Sequence, residues 1–239
     1  MLVTDGLPSS KDEIMKSSFK MHVFLAILSL ALPVNAAYGA AHAATYAGVQ
    51  GKTIVVDPGH GGSDTGAIGS NNIVEKDVTL GIALELKKML AARGANVVLT
   101  RTADKDVAYK GASDKEELAA RVNVANRMDA DLFVSIHADA FSTNEAQGTT
   151  TYFYEKTNED RRFAQILQSN LVRQVGLSDR GFEENDFYVL ENTHMPAILA
   201  EVAFISNPQE ARLLSKTTFW RKAALGLYNG INSYFSTAK

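Results

Sequence analysis

Several short apolar runs in this chain stop at residues that a hydrophobic core does not take willingly. Residues 53–56 run into Asp57-Pro58-Gly59 and then His60-Gly61-Gly62; residues 132–136 end at His137; residues 197–202 carry Glu201 inside an otherwise apolar stretch. Short β-branched runs bounded by Gly or Pro read as buried strands. Longer segments with helical spacing lie between them. From Val78 onward, Leu80, Ala83, Leu84, Leu86 and Leu90 mark a first helix, with Gly94 placed to close it. Residues 96–100 form the next strand and 116–128 the next helix. Residues 148–154 alternate Thr with aromatics as an edge-type strand, and 159–175 form a helix closed by Gly176. Residues 187–190 are expected as a further strand, and 209–214 and 219–235 as the closing helices. The alternation predicts an α/β fold: a mainly parallel, twisted sheet of about six strands with helices on both faces, in a single domain over residues 50–239.

Composition narrows the chemistry. Of 239 residues 46% are hydrophobic and only five are proline, which suits one domain with a sizeable core. A formal charge of -3 provides no net drive towards nucleic acid or an anionic membrane surface. Cysteine is absent, so disulfides, thiolate metal sites and a cysteine nucleophile are excluded. Any metal must use His and carboxylate ligands.

Residues 1–43 have another character. Lys11, Lys16 and Lys20 precede an apolar run over residues 21–32, then Pro33 and an alanine-rich tract. This is the layout of a secretory signal, with cleavage expected after Ala36 or Ala43. An uncleaved anchoring helix is the alternative, and it would be the chain's one contact with a membrane. Met15 and Met21 are alternative starts. Either arrangement predicts export, to a periplasm or an extracellular wall.

In a parallel sheet the carboxyl ends of the strands share one edge, where ligands bind. That edge would gather His60, His137 and Glu201, and Glu75, in the loop leading into the first helix, would join them. Two imidazoles and one carboxylate are the three-ligand set of hydrolytic zinc, and a further carboxylate can serve as base. Gly59, Gly61 and Gly62 would permit a sharp turn and close approach of a large substrate. Each residue alone has an ordinary use: a histidine after a strand as a structural hydrogen-bonder, Glu75 as a solvated carboxylate favoured by the helix dipole. Glu201 is different, because a charge in so apolar a run is costly unless paired or functional. Asp57 is expected either to orient a metal-bound histidine or to cap backbone. Arg101 is expected to hold a loop by ion pairs, and His194 to lie on the surface.

At these residues the chain resembles the zinc-dependent N-acetylmuramoyl-L-alanine amidases. The likeness covers nearly all of residues 52–235. It is carried by Val56-Asp57-Pro58-Gly59-His60-Gly61-Gly62, Glu75-Lys76-Asp77, Leu99-Thr100-Arg101, Ser135-Ile136-His137-Ala138, Gly148-Thr149, and Pro196 through Glu201 to Phe204-Ile205-Ser206-Asn207-Pro208. The resemblance implies zinc held by His60, Glu75 and His137, with Glu201 as the catalytic carboxylate and peptidoglycan as substrate; separately, the chain is expected to be a monomer. Asp139 stands where the family often has Asn, which alters the charge beside the site. The stretch 154–163 is too short for the plugging segment that some relatives insert.

Overall fold

The computed structural model describes residues 48–237; the leader expected over residues 1–43 lies outside the described residues. The strands are β1 (Thr53–Pro58), β2 (Asn96–Leu99), β3 (Leu132–Asp139), β4 (Thr149–Phe153), β5 (Asp179–Glu184) and β6 (Ala197–Phe204). The helices are α1 (Glu75–Ala91), α2 (Asp114–Arg127), α3 (Asn158–Val175), the single turn α4 (Tyr188–Glu191), α5 (Pro208–Leu214) and α6 (Thr217–Ser236). The strands form one sheet in the order β2-β1-β3-β6-β4-β5. The first four are parallel, β4 is antiparallel to β6, and β5 is parallel to β4. The expected α/β architecture with a mainly parallel sheet is therefore the one observed.

The two-residue period of the strands divides the interior. Ile54 and Val56 face a large core shared with Ile82 and Leu86 of α1, Leu167 of α3 and Leu227 of α6. Val55 turns the other way, with Phe133 and Leu199, towards Val122 of α2 and Val189 of α4. Helices thus cover both faces. Local chemistry sets their ends: Ser113 and Glu116 form a reciprocal capping box on α2, Thr157 and Asp160 another on α3, and Gly176 closes α3 at φ 75°.

Three expectations need correction. Residues 187–190 are not a strand; Phe187 caps the one-turn α4, whose Val189 and Leu190 are buried. A four-residue apolar run has no period long enough to separate helix from strand. The sixth strand is instead β5, Asp-Arg-Gly-Phe-Glu-Glu, a largely exposed edge strand without an apolar alternation to announce it. With β5 on its flank, β4 is interior rather than an edge. Helix α1 also begins earlier than Val78: it opens at Glu75, and the N–H groups of Asp77 and Val78 both return to the carbonyl of its N-cap, Val74.

Two buried guanidinium groups pin the loop after β1. Arg101, 1% exposed, donates to the carbonyls of Pro58, Gly59, Lys76 and Ala103 and to Thr79 Oγ1. It holds the loop, as expected, but through backbone oxygens rather than ion pairs. Arg121 of α2 donates to Asp57 Oδ1 at 2.8 Å and to the carbonyls of Pro58 and His60. Asp57 also accepts from the hydroxyls of Thr100 and Ser135, at 2.6 and 2.8 Å. It therefore neither orients a histidine nor caps backbone; it anchors Arg121. Burial pushes the Asp57 carboxyl up, but the charge of Arg121 and the hydroxyl donors outweigh this and hold it below its ordinary value.

An ammonium cannot reproduce a planar fork reaching carbonyls on several sides. Arg101→Lys is therefore expected to lower the unfolding free energy by about 1–3 kcal/mol, the cost of stranding buried acceptors, as measured by urea denaturation.

Candidate active site

Strand β1 delivers His60 just beyond its carboxyl end, β3 carries His137, and α1 opens with Glu75. These come from three separate parts of the chain, and the sheet brings them to one point. His60 Nε2 and His137 Nδ1 each lie 3.1 Å from Glu75 Oε1, and the ligand-type atoms of all three fall within 4.8 Å of one another. The two imidazole rings meet edge to face with centroids 4.8 Å apart.

Glu75 is fixed rather than solvated. Its Oε2 accepts the N–H of Ala67 at 2.9 Å, and its Oε1 accepts the N–H of Ala138 at 3.0 Å. Burial would raise its pKa, yet the hydrogen bonds and charges of His137 and His60 prevail and drive it well below the carboxylate range. His60 answers in the opposite sense: burial disfavours its charge, but Glu75 and then Asp64 raise its pKa above the ordinary histidine value.

The loop geometry makes this contact possible. His60 adopts φ 59°, a left-handed conformation uncommon for a residue with a side chain. A Cβ on Gly59 would collide with the His137 ring, and one on Gly66, at φ 63°, would strike both Glu75 and His60. Gly59 does provide the close approach expected of it, though to a histidine of the site.

Glu201 stands on β6 directly opposite His137 of β3 in the parallel register, so both side chains project from the same face. It is 9% exposed, and its Oε2 is buried without a hydrogen-bond partner. Burial, followed by the charges of Glu75 and Asp139, pushes its pKa well above the usual carboxylate value. Asp139, the departure noted in the sequence, therefore has an electrostatic consequence at this carboxyl.

His60, His137 and Glu201 line a cavity of 340 Å³, with Leu118, Val189 and Leu199 on its apolar wall. The residue that sequence reasoning missed is Asp64, whose Oδ2 lies 2.7 Å from His60 Nδ1 and fixes which ring nitrogen faces Glu75. The Gly61–Gly62 turn brings it there by a reciprocal backbone pairing of Gly61 with Asp64. His194 lies apart, exposed, with its N–H on Asn126 Oδ1.

Fold and site together define an α/β protein whose sheet edge carries a His–Glu–His cluster able to hold a divalent cation, beside a second, buried carboxyl, that of Glu201. The family model for N-acetylmuramoyl-L-alanine amidases matches residues 54–233, and the chain belongs to that family. It is 37% identical over 194 residues to the germination-specific N-acetylmuramoyl-L-alanine amidase of Bacillus subtilis, covering 79% of this chain and 81% of that one. Among solved structures it is similar to an N-acetylmuramoyl-L-alanine amidase from Clostridium difficile 630, with 36% identity, TM-score 0.70 and coverage of 77% and 97% of the two chains. It is also similar to the CwlD amidase of Clostridioides difficile, solved in complex with the GerS lipoprotein: 32% identity, TM-score 0.73 and coverage of 77% and 98%.

The raised pKa of the buried Glu201 carboxyl has a measurable consequence for stability. Below about pH 4 the carboxyl is neutral in both folded and unfolded chains and contributes no pH dependence. Above that the unfolded chain ionises first, so stability falls by about 1.4 kcal/mol per pH unit until the raised folded pKa is reached. In chelator-treated protein, Glu201→Gln is therefore expected to stabilise the fold at pH 7 and to be nearly neutral at about pH 4, as read by urea unfolding at both values. A gain of equal size at the two pH values would contradict the raised pKa.

Proposed function

We propose that this chain is an exported enzyme that hydrolyses the amide between the lactyl carboxyl group of N-acetylmuramic acid and L-alanine in peptidoglycan. In this reading His60, Glu75 and His137 hold zinc, and Glu201 is the general base. The observation that carries it is Glu201: a carboxyl kept buried, with one oxygen unpartnered, in the same cross-strand row as His137. Stability alone gives no reason to retain such a group.

The donor set fits zinc. Two imidazole nitrogens, each 3.1 Å from one carboxylate oxygen, are the donor types that hydrolytic zinc takes, and the three ligand-type atoms lie within 4.8 Å of one another. Zinc at such a site supplies an acidified water and a Lewis acid for the scissile carbonyl. Glu201 then takes a proton from the attacking water and delivers it to the departing alanine nitrogen as the carbon–nitrogen bond breaks. Its raised pKa suits both halves of that transfer, since a weakly acidic carboxyl accepts a proton readily and still returns it to an amine. Asp64 keeps His60 in the tautomer that presents Nε2. The apolar wall of Leu118, Val189 and Leu199 would receive the uncharged part of the muramoyl-alanine junction and exclude bulk water. Residues 1–43 would act as the export signal, and the chain would work as a monomer on the wall polymer without nucleic acid.

The deciding experiment is mass spectrometry of muramoyl-peptide fragments incubated with the protein, with and without chelator, beside Glu201→Ala. Free stem peptide bearing a new alanine amino terminus is expected, and it should vanish with chelation and in a variant that still contains zinc. Release of acetate with the peptide still attached would sink the amidase reading in favour of a deacetylase.

The same reading gives Asp64 a quantitative role. Removing an oxygen acceptor from behind a metal-bound imidazole typically lowers metal affinity 10–100-fold. Asp64→Ala should do so in competition with a chromogenic chelator, while the melting temperature of the chelated protein stays close to that of the parent.

A further inference from the structure

Among the described residues, two buried side-chain polar atoms have no hydrogen-bond partner: Glu201 Oε2 and Thr150 Oγ1. They are neighbours. The antiparallel register of β4 against β6 sets Thr150 opposite Glu201, just as the parallel register of β3 sets His137 opposite Glu201 from the other side. Residues in register on adjacent strands project from the same face, so His137, Glu201 and Thr150 form one row across the sheet, with Glu201 in the middle.

The rest of β4 shows that this hydroxyl is not explained by packing. Thr151 turns to the opposite face, where its Oγ1 donates to Gln168 Oε1 at 2.7 Å. The hydroxyl of Thr149 accepts from Gln168 Nε2 at 3.2 Å. Those two threonines tie β4 to α3. Thr150, 1% exposed, has no such duty, and a valine would fill the same volume without burying an unmet polar group.

We infer that Thr150 is a positioning residue for Glu201, its hydroxyl hydrogen-bonding Oε2 during turnover. Directly opposed strand residues have Cβ atoms about 4.5–5.5 Å apart, a span that a threonine hydroxyl and a glutamate terminal torsion close between them. A hydroxyl suits a carboxyl that changes state: it donates to the carboxylate before the proton arrives and accepts from the acid afterwards. The contact holds Glu201 on its inner side while the outer oxygen faces water and the leaving nitrogen.

This inference rests on the amidase reading, and one assay separates the two. The kcat and KM for stem-peptide release are measured for the parent, Thr150→Val, Thr150→Ser and Thr150→Ala. The expected result is a kcat that follows the hydroxyl: about tenfold lower in the Val and Ala variants, near the parent value in Ser, with KM within about twofold throughout. The Val variant should melt no lower than the parent. A kcat that instead follows side-chain volume, normal in Val and slow in Ala, would overturn the positioning role. No release by the parent chain would overturn both the role and the amidase reading.

Discussion

The arrangement depends on a charge buried where a sheet would ordinarily place an aliphatic side chain. Asp57 sits near the carboxyl end of β1, 1% exposed, and stays ionised because Arg121 and two hydroxyls surround it. Removing one partner from a buried pair of this kind typically costs about 3–5 kcal/mol, since the other is left uncompensated. What the pair secures is position. Arg121 reaches past Asp57 to the carbonyls of Pro58 and His60, so the turn presenting His60 is held from α2, while Arg101 holds the same turn against α1. A backbone in a left-handed conformation at His60 persists only under such bracing.

The regular parts of this design were legible in the chain. Strands β1, β3 and β6 are apolar runs long enough to be recognised, and the chemistry of their ends follows from the rule that parallel strands share a carboxyl edge. The convergence of His60 and His137, with Glu75 joining them from the loop before α1, could thus be anticipated from that shared edge. Capping residues such as Gly176 were equally readable, because a left-handed cap needs a residue without Cβ.

What escaped has physical reasons. Strand β5 presents mostly charged side chains to solvent and takes its order from pairing with β4, a tertiary influence absent from local pattern. Residues 187–190 have β-favouring side chains, yet two of them are buried by one helical turn, and burial rather than propensity decides so short a segment. Asp64 lies four residues after His60 in a glycine-rich loop, where no periodicity tells which way a side chain turns. Arg101 was recognisable as structural, but its partners are carbonyls from four residues, and backbone acceptors leave no trace in sequence.

The site finally turns on two glutamates of identical chemistry and opposite condition. Glu75 opens a helix, accepts two backbone N–H groups and touches two imidazoles, so against the cost of burial the histidines His137 and His60 favour its anion. Glu201 lies in the middle of an apolar strand with no donor on one oxygen and with the charges of Glu75 and Asp139 opposing its ionisation. The first condition suits a ligand, which must be negative and immobile; the second suits a group that takes up a proton and gives it back. The two are coupled, because the charge that fixes Glu75 helps to raise Glu201. A cation at the His–Glu–His cluster would offset that repulsion and draw Glu201 back towards ionisation. In the proposed mechanism, loading the cluster and readying Glu201 as base would then be one electrostatic event, joined by the sheet register that sets His137 opposite Glu201.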